Sequence, residues 1–211
     1  MRVRWLNGPL KMLAALLLAS VVLPVQAATI LVFGDSISAA YGLEANAGWV
    51  SLLQQKLDKK AAKKHRVING SLSGETTSGG VRRLPPLLAE HRPDIVVLEL
   101  GGNDGLRGQS PKAMAENLRK MIADSRAVGA DVILLGMRIP PNYGKAYTTA
   151  FENAFSDVAK ETKVPFHPFF LEGVGGNPFM MQRDGIHPTA AAQKKLLENA
   201  WPLVEKTLAR R

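Results

Sequence analysis

Two kinds of hydrophobic pattern alternate along the chain: short apolar runs rich in β-branched residues and leucine, and longer stretches with helical spacing. The short runs predict strands at Thr29–Phe33, Arg66–Asn69, Asp94–Leu100, Asp131–Met137 and Val164–Phe166. The longer stretches predict helices at Gly48–Lys60, Ser78–His91 with a break at Pro85-Pro86, Pro111–Val128, Tyr147–Lys163 and Thr189–Leu208. Strand and helix therefore alternate five times.

Strands that are joined by helical crossovers pair in parallel, and apolar runs such as Ile95–Leu98 suit strands that are covered on both faces. The pattern predicts an α/β fold: a three-layer α/β/α sandwich around a central parallel sheet of about five strands. In such sheets ligands bind beyond the carboxyl ends of the strands. The loops that follow the strands are therefore where functional residues are expected.

The N-terminal segment differs from the rest of the chain. Its basic residues Arg2, Arg4 and Lys11 precede an apolar run from Met12 to Leu23, which is shorter than the roughly 20 residues that span a bilayer. Small residues then suit signal-peptidase cleavage after Ala27. We predict a removed signal peptide at 1–27, a single domain at 28–211 and export from the cytoplasm; an uncleaved membrane anchor is the alternative.

Composition narrows the function classes. The 211 residues are 46% hydrophobic and 21% charged, which suits a folded domain with a sizeable core. The chain contains no cysteine, which excludes disulfides, thiolate metal sites and a cysteine nucleophile. Loss of the predicted signal peptide, with three basic and no acidic residues, would lower the formal net charge from +9 to +6.

One dense basic run lies near the end of the first predicted helix and contains no aromatic residue. It consists of Lys59, Lys60, Lys63, Lys64, His65 and Arg66. Because nucleic-acid surfaces commonly interleave basic and aromatic residues, we interpret this run as a solvated helix end and predict no nucleic-acid partner.

Four polar loops fall on the predicted functional edge of the sheet: Gly34–Ile37, Ser73–Glu75, Gly101–Asp104 and Asp184–Pro188. A serine hydroxyl becomes a good nucleophile when an imidazole takes its proton and a third group orients the imidazole. Ser36 and His187 can form the first pair. Asp184 precedes His187 by three residues, so one turn can present both side chains, and the three residues predict acyl-transfer chemistry.

The tetrahedral intermediate of acyl transfer needs hydrogen-bond donors for its oxyanion. The backbone amides of Ser36 and Gly74 and the side-chain amide of Asn103 are the predicted donors. Asp35 and Asp104 are rival candidates for orienting the histidine, but each directly follows a strand and suits bracing of a neighbouring loop better.

Glu99 is an unexplained carboxylate inside an apolar strand run. Its burial there requires a partner or a bound proton. The sequence predicts no function for it.

The blocks GDSIS, SGETTSGG, LELGGNDGLRG, RIPPNYG and DGIHP resemble those of the SGNH, or GDSL-type, hydrolase superfamily. Ser36, Gly74, Asn103 and His187 match the four residues for which that superfamily is named, with Ile37 in place of the leucine of GDSL. The similarity is closer to the exported bacterial group of multifunctional acyl-CoA thioesterases, lysophospholipases and arylesterases.

The resemblance implies a flavodoxin-like fold, no cofactor or metal, and hydrolysis of fatty-acyl esters and thioesters such as lysophospholipids, acyl-CoA and aryl esters. It also implies an acyl groove formed by residues 105–110 and 138–144, with Leu106, Ile139, Pro140 and Tyr143 as substrate-binding residues. The periplasm is the implied location. The oligomeric state stays open, with a monomer favoured.

Three other functions are considered. An α/β-hydrolase is disfavoured because no serine has glycine at both two-residue offsets. A metal-dependent phosphoesterase could use Asp35, Asn103 and His187, but Ser36 would then have no role. An exported lipid- or acyl-binding protein on the same scaffold also stays open, because a fold does not determine a function.

Overall fold

The computed structural model describes residues 27–44, 46–60 and 65–211. The predicted signal peptide at 1–27 lies outside these residues except for Ala27. The strands are β1 (Thr29–Gly34), β2 (Arg66–Asn69), β3 (Ile95–Glu99), β4 (Asp131–Leu135) and β5 (Phe166–His167). The helices are α1 (Trp49–Lys60), α2 (Thr77–His91), α3 (Gly102–Leu106), α4 (Pro111–Ala127), α5 (Lys145–Thr162) and α6 (Gln193–Leu208), with 3₁₀ turns at Pro141–Tyr143 and Ala190–Ala192.

The five strands form one parallel sheet in the order β2-β1-β3-β4-β5. Helix α1 packs against α6, while α2 and α5 both pack against α4, so the helices form two groups that cover the two faces. The predicted α/β/α sandwich is confirmed, and the strand order is that of flavodoxin-like folds. The connections reverse direction between β1 and β3, and ligands bind at such switch points.

The core lies on both faces of the three central strands. Residues 30–33 of β1, 95–98 of β3 and 132–135 of β4 are all buried hydrophobic residues. A strand that is covered on both faces has no solvent side, so its apolar residues form a continuous run rather than alternating with polar ones. The short runs of the sequence therefore predict these strands well.

The predicted break of the second helix at Pro85-Pro86 is wrong, because α2 runs without interruption from Thr77 to His91. A proline inside a helix removes a backbone hydrogen bond and crowds the preceding turn. Both prolines lie on the exposed side of α2, where water can satisfy the freed carbonyl groups. The helix tolerates them at that face.

Several element ends differ from the prediction. Strand β5 consists of Phe166 and His167 rather than 164–166, because Pro165 cannot donate to a strand ladder. The last helix begins at Gln193, after the 3₁₀ turn, and the five-residue helix α3 is not predicted by the sequence. The helix carries the sequence GNDGL, which has no helical hydrophobic spacing.

The basic run at the end of α1 is described only in part, since residues 61–64 lie outside the described ranges. Lys60 forms an ion pair with Glu205 of α6 at 2.5 Å. His65 is buried, and its Nδ1 accepts a hydrogen bond from the Ala28 backbone N–H. Within the described ranges, no helix combines the length and apolar character that a membrane span needs.

Candidate active site

Ser36, His187 and Asp184 form a continuous chain of hydrogen bonds at the carboxyl edge of the sheet. The Oγ of Ser36 lies 2.8 Å from Nε2 of His187, and Nδ1 of His187 lies 2.7 Å from Oδ2 of Asp184. With the ring proton on Nδ1, His187 donates to the carboxylate and accepts from the hydroxyl. The structure thus brings the three predicted catalytic residues together in the arrangement that activates a serine.

A tight turn presents Asp184 and His187 together. The other oxygen of Asp184, Oδ1, accepts hydrogen bonds from the backbone N–H groups of Ile186 and His187 at 2.9 and 3.0 Å. These bonds, chiefly those from His187, lower the pKa of Asp184 from 3.8 to about 2. Asp184 is therefore an ionised carboxylate beside the imidazole, as a histidine that becomes protonated requires.

The predicted oxyanion donors flank the Ser36 loop. Gly74 adopts a left-handed conformation with φ of 78°, which suits glycine. Asn103 lies in the first turn of α3, and its Nδ2 donates to the carbonyl of Glu75 at 3.0 Å and to Oδ2 of Asp35 at 3.3 Å. Its side chain thus links the residue after Gly74 to the residue before Ser36.

The two rival aspartates brace loops and do not contact the histidine through a hydrogen bond. Asp35 is buried, and its Oδ1 accepts from the backbone N–H of Ile37 at 3.0 Å. Asp104 accepts from both the backbone N–H and the hydroxyl of Thr77 at the start of α2. Burial raises the pKa of Asp35 from 3.8 to about 6, against the opposing effect of its hydrogen bonds.

Glu99 lies directly beneath the Ser36 loop and is completely buried. Its Oε2 accepts a hydrogen bond from the Ser38 hydroxyl at 2.6 Å, and Ser38 Oγ accepts from Nε1 of Trp49 at 3.2 Å. Among the described residues, Oε1 has no hydrogen-bond partner. Burial, with repulsion from Asp35 as a second cause, raises the pKa of Glu99 well above 4.5.

The Glu99 side chain also explains the glycine at position 34. A Cβ atom on Gly34 would lie 2.5 Å from Oε2 of Glu99 and 2.8 Å from the Ser38 hydroxyl. Sequence reasoning identified Glu99 as unusual but missed Ser38 and Trp49. An isolated carboxylate in an apolar run was the available signal, whereas its partners depend on the packing of α1 against the Ser36 loop.

An apolar cavity of about 320 Å³ opens beside the predicted catalytic residues. It includes the neighbours of three site residues: Ile37 after Ser36, Gly102 before Asn103, and Ile186 before His187. The predicted residues Leu106, Ile139 and Pro140 lie in its wall, together with Met137, Arg138, Pro141, Phe169, Leu171, Gly175, Gly176, Met181 and Gly185. The residues between 169 and 186 were missed because they lie far along the chain from the predicted groove segments.

Tyr143, the fourth predicted substrate-binding residue, is not among the residues that line this cavity. Its hydroxyl donates to the backbone carbonyl of Leu106 at 2.7 Å. The ring therefore ties the turn after β4 to α3. A second tyrosine, Tyr41, lies with its ring centroid 4.5 Å from that of His187 and was also missed by the sequence reasoning.

A metal-dependent phosphoesterase would need side chains that can ligate a metal ion. Within residues 27–44, 46–60 and 65–211, no group of three His, Asp or Glu side chains could hold a metal ion. Two of the three residues that this alternative would use, Asp35 and Asn103, bond to each other, while the ring nitrogens of His187 face Ser36 and Asp184.

Comparison with known proteins identifies a family and several similar chains. A model of the GDSL-like lipase/acylhydrolase family matches residues 32–195. The chain is 54% identical to esterase TesA of Pseudomonas aeruginosa over 193 residues, 90% of this chain and 96% of that protein. It is 46% identical to thioesterase 1/protease 1/lysophospholipase L1 of Escherichia coli K12 over 165 residues, 78% of this chain and 77% of that protein.

A solved structure is also similar over most of the fold. The crystal structure of TesA superposes with a TM-score of 0.82 at 54% sequence identity. The match covers 85% of this chain and 99% of that one.

Proposed function

The chain belongs to the GDSL-like lipase/acylhydrolase family, and we propose that it hydrolyses fatty-acyl esters and thioesters through an acyl-enzyme on Ser36. The observation that carries the proposal is the hydrogen-bond chain from Ser36 through His187 to Asp184. It supplies a nucleophile, a general base and an ionised group that orients the base.

In the first half of the reaction, Ser36 Oγ attacks the acyl carbonyl carbon while His187 Nε2 takes the hydroxyl proton. Asp184 stabilises the imidazolium that results, and it stays ionised because its pKa is lowered to about 2. The carbon–oxygen or carbon–sulfur bond of the substrate then breaks. His187 returns its proton to the departing alcohol or thiol, and the acyl group stays on Ser36.

In the second half, a water molecule attacks the acyl carbonyl and gives a proton to His187. The bond to Ser36 Oγ breaks, the proton returns to Ser36, and a fatty acid leaves. Each attack places negative charge on the carbonyl oxygen. The backbone N–H groups of Ser36 and Gly74 and the Asn103 amide are the proposed donors to it, and one such donor contributes about 10²–10³-fold to kcat. For Asn103, the hydrogen that is bonded to the Glu75 carbonyl turns to the oxyanion, while the bond to Asp35 keeps the amide in place.

The apolar cavity supports a fatty-acyl substrate. Its walls are predominantly hydrocarbon, and neighbours of Ser36 and His187 form one side of it. An acyl chain in this cavity would lie next to the reacting carbonyl. Leu106, Ile139 and Pro140 of the cavity wall are the proposed acyl contacts, and Tyr143 acts on the substrate only through its bond to Leu106.

We expect the site to accept a wider range of leaving groups than of acyl groups. A thiol has a pKa near 8.5 and departs more readily than an alkoxide, so modest acid assistance from His187 suffices for a thioester. The names esterase and thioesterase/protease/lysophospholipase of two relatives are consistent with such breadth.

The proposed export from the cytoplasm limits which substrates the protein meets. We propose that residues 1–27 are removed and that residues 28–211 act in the periplasm as one domain; strand β1 begins at Thr29, two residues after the proposed cleavage site. Acyl-CoA is a cytoplasmic metabolite. Lysophospholipids and other esters of the cell envelope are therefore the proposed natural substrates.

Hydrolysis of chromogenic esters with acyl chains from short to long tests this proposal. The protein is assayed in the presence of a chelator beside Ser36→Ala and a matched control, Ser156→Ala, which removes an exposed hydroxyl from α5. We expect Ser36→Ala to abolish activity and the control and chelator to leave it unchanged. Full activity in Ser36→Ala would exclude this nucleophile, and tight fatty-acid binding without hydrolysis would support an acyl carrier instead.

A further inference from the structure

Large hydrophobic side chains are exposed almost entirely at one edge of the sheet. Six are exposed among the described residues, and Val128, between α4 and β4, is the one at the amino edge. The other five follow the carboxyl ends of strands; we call them the apolar rim: Tyr41, Leu72, Tyr143, Phe179 and Ile186. This edge also carries the catalytic residues.

Contacts tie the apolar rim to the active site. The Tyr41 ring lies against His187, and Ile186 is both a rim residue and part of the cavity wall. The carbonyl of Leu72 accepts from the backbone N–H of Glu75, which closes the turn that contains Gly74. The rim therefore lies at the same edge as the cavity and joins it at Ile186.

Phe179 is the most exposed member, with 87% of its surface accessible. Its backbone N–H donates to Oδ1 of Asn177 at 3.0 Å, and its carbonyl accepts from the Thr189 hydroxyl at 3.4 Å. The neighbouring carbonyl of Met180 accepts from the Thr189 N–H at 2.8 Å. A phenylalanine thus projects into solvent from a turn that hydrogen bonds hold on both sides.

Exposed cations accompany the rim. Arg107, Lys145 and Arg183 lie in the loops and helix ends of this edge, and none pairs with a carboxylate within the described part of the chain. Of the carboxylates in these loops, Glu75 pairs with Arg83, Asp184 is bound by His187, and Glu172 lies 3.8 Å from His167. Glu44 is exposed. The edge therefore combines exposed hydrocarbon with three cations that form no ion pair in the described part of the chain.

A second copy of the chain is a poor partner for this face. A symmetric dimer places the same patch opposite itself, so the three cations would face one another. A surface of anionic phospholipid offers the complementary charge, and an interfacial apolar side chain enters the boundary between headgroups and acyl chains.

We propose that the apolar rim seats the protein on an anionic phospholipid surface, with Phe179 as the principal inserted side chain and the cavity entrance facing the lipid. The inference builds on the proposed function, since it provides a route for an acyl chain from a lipid surface into the cavity. It concerns attachment and not catalysis, because Phe179 does not line the cavity.

Sedimentation with vesicles tests the proposal without requiring hydrolysis. The probes are vesicles of phosphatidylcholine alone and of phosphatidylcholine mixed with phosphatidylglycerol. The wild type is compared with Phe179→Ser and with Val128→Ser, which removes an exposed side chain at the opposite edge. All three carry the same N-terminus, so the apolar run of residues 12–23 contributes equally to each.

We expect the wild type to bind the anionic vesicles, and we expect this binding to weaken with added salt. The partition coefficient of Phe179→Ser should be about tenfold lower than that of the wild type, and that of Val128→Ser should equal it. Hydrolysis of a short soluble ester should be the same in all three proteins. Equal binding of Phe179→Ser and wild type, equal loss in both variants, or equal binding to both vesicle types would overturn the proposal. So would a dimer that depends on Phe179 in the absence of vesicle binding.

The two proposals fail separately. Vesicle binding that depends on Phe179 in a protein without esterase activity would refute the proposed function alone. Normal ester hydrolysis with binding that is independent of Phe179 would refute the docking surface alone.

Discussion

The carboxylates around Ser36 fall into two groups that the fold holds in opposite states. Asp184 lies in an exposed turn, where hydrogen bonds from the His187 backbone and ring lower its pKa to about 2. Asp35 and Glu99 lie beneath the nucleophile loop. Burial raises the pKa of Asp35 to about 6 and that of Glu99 well above 4.5.

The opposite pKa shifts indicate an electrostatic role for Asp184 and structural roles for Asp35 and Glu99. The carboxylate that is proposed to support protonated His187 lies where water and backbone donors keep it ionised. The buried carboxyl groups instead accept hydrogen bonds that hold Asn103 and Ser38 in place. Nearness along the chain to the proposed nucleophile therefore does not decide which carboxylate contacts the histidine, since Asp35 adjoins Ser36 and Asp184 lies far from it in sequence.

The largest expected effect comes from removing the charge of the exposed group. Asp184→Asn should lower kcat by about 10⁴-fold, because an amide does not hold the imidazole in the reactive tautomer or stabilise the imidazolium. Steady-state hydrolysis of a chromogenic ester measures it. The exposed α5 variant Asp157→Asn is the matched control and should keep wild-type activity. A loss of less than tenfold in Asp184→Asn would contradict this role.

Asp35→Asn should have a smaller effect, about 10²–10³-fold on kcat. Its amide nitrogen cannot accept the hydrogen bond that Asn103 Nδ2 donates to Oδ2, so one proposed oxyanion donor loses its orientation. The fall should appear in kcat rather than KM on the same chromogenic ester. If Asp35→Asn lost as much activity as Asp184→Asn, the assignment of the two carboxylates would be wrong.

Glu99→Leu should affect stability through its buried partner. Leucine leaves the Ser38 hydroxyl without its acceptor, at a cost of about 1–3 kcal/mol in the free energy of unfolding. Glu99→Gln keeps a carbonyl acceptor and should cost less. Urea unfolding of both variants measures the difference, and equal stability of the two would show that the Ser38 bond contributes nothing.

The smallest expected effect is the pH dependence of stability, which should have opposite signs for buried Glu99 and exposed Asp184. Because folding raises the pKa of Glu99, the contribution of Glu99 to wild-type stability falls as pH rises above 4.5 towards the folded value, by at most about 1.4 kcal/mol per pH unit. Glu99→Gln lacks this proton, so its stability relative to wild type should rise between pH 4.5 and 7.

Asp184 should show the opposite dependence. Its pKa is lowered on folding, so the stability it contributes is present above pH 3.8 and is lost as pH falls towards 2. The stability difference between wild type and Asp184→Asn should therefore shrink on acidification. Unfolding measured across this range for both pairs of proteins checks the two signs, and parallel pH profiles would contradict the comparison.

The central strands and the layers could be predicted from the sequence, because these strands are buried on both faces and leave continuous apolar runs. The order of the strands in the sheet is not contained in that pattern. Helix α3 could not, since its five residues have no periodic pattern. The break at Pro85-Pro86 was predicted wrongly, because sequence alone does not reveal that both prolines lie on the exposed side of α2.

Some contacts of the candidate site could likewise be predicted from the sequence and others could not. Asp184 and His187 share one turn, so their spacing predicts their contact. The partners of Glu99 depend on how helix α1 packs against the Ser36 loop, which places Trp49 Nε1 3.2 Å from Ser38 Oγ. Tyr143 shows why substrate-binding residues are harder to predict from sequence. An aromatic side chain suits an acyl groove, but the hydrogen bond from its hydroxyl to the Leu106 carbonyl fixes its orientation.

The central claim is that Ser36 carries the acyl group, and trapping it tests the claim most directly. The protein is treated with a phosphonate ester that transfers its phosphonyl group to an activated serine, and the product is digested and weighed by mass spectrometry. We predict one phosphonyl group per chain on the peptide that contains Ser36, complete loss of ester hydrolysis, and no labelling of Ser36→Ala. Labelling at another residue, or full loss of activity without a label on Ser36, would contradict the account.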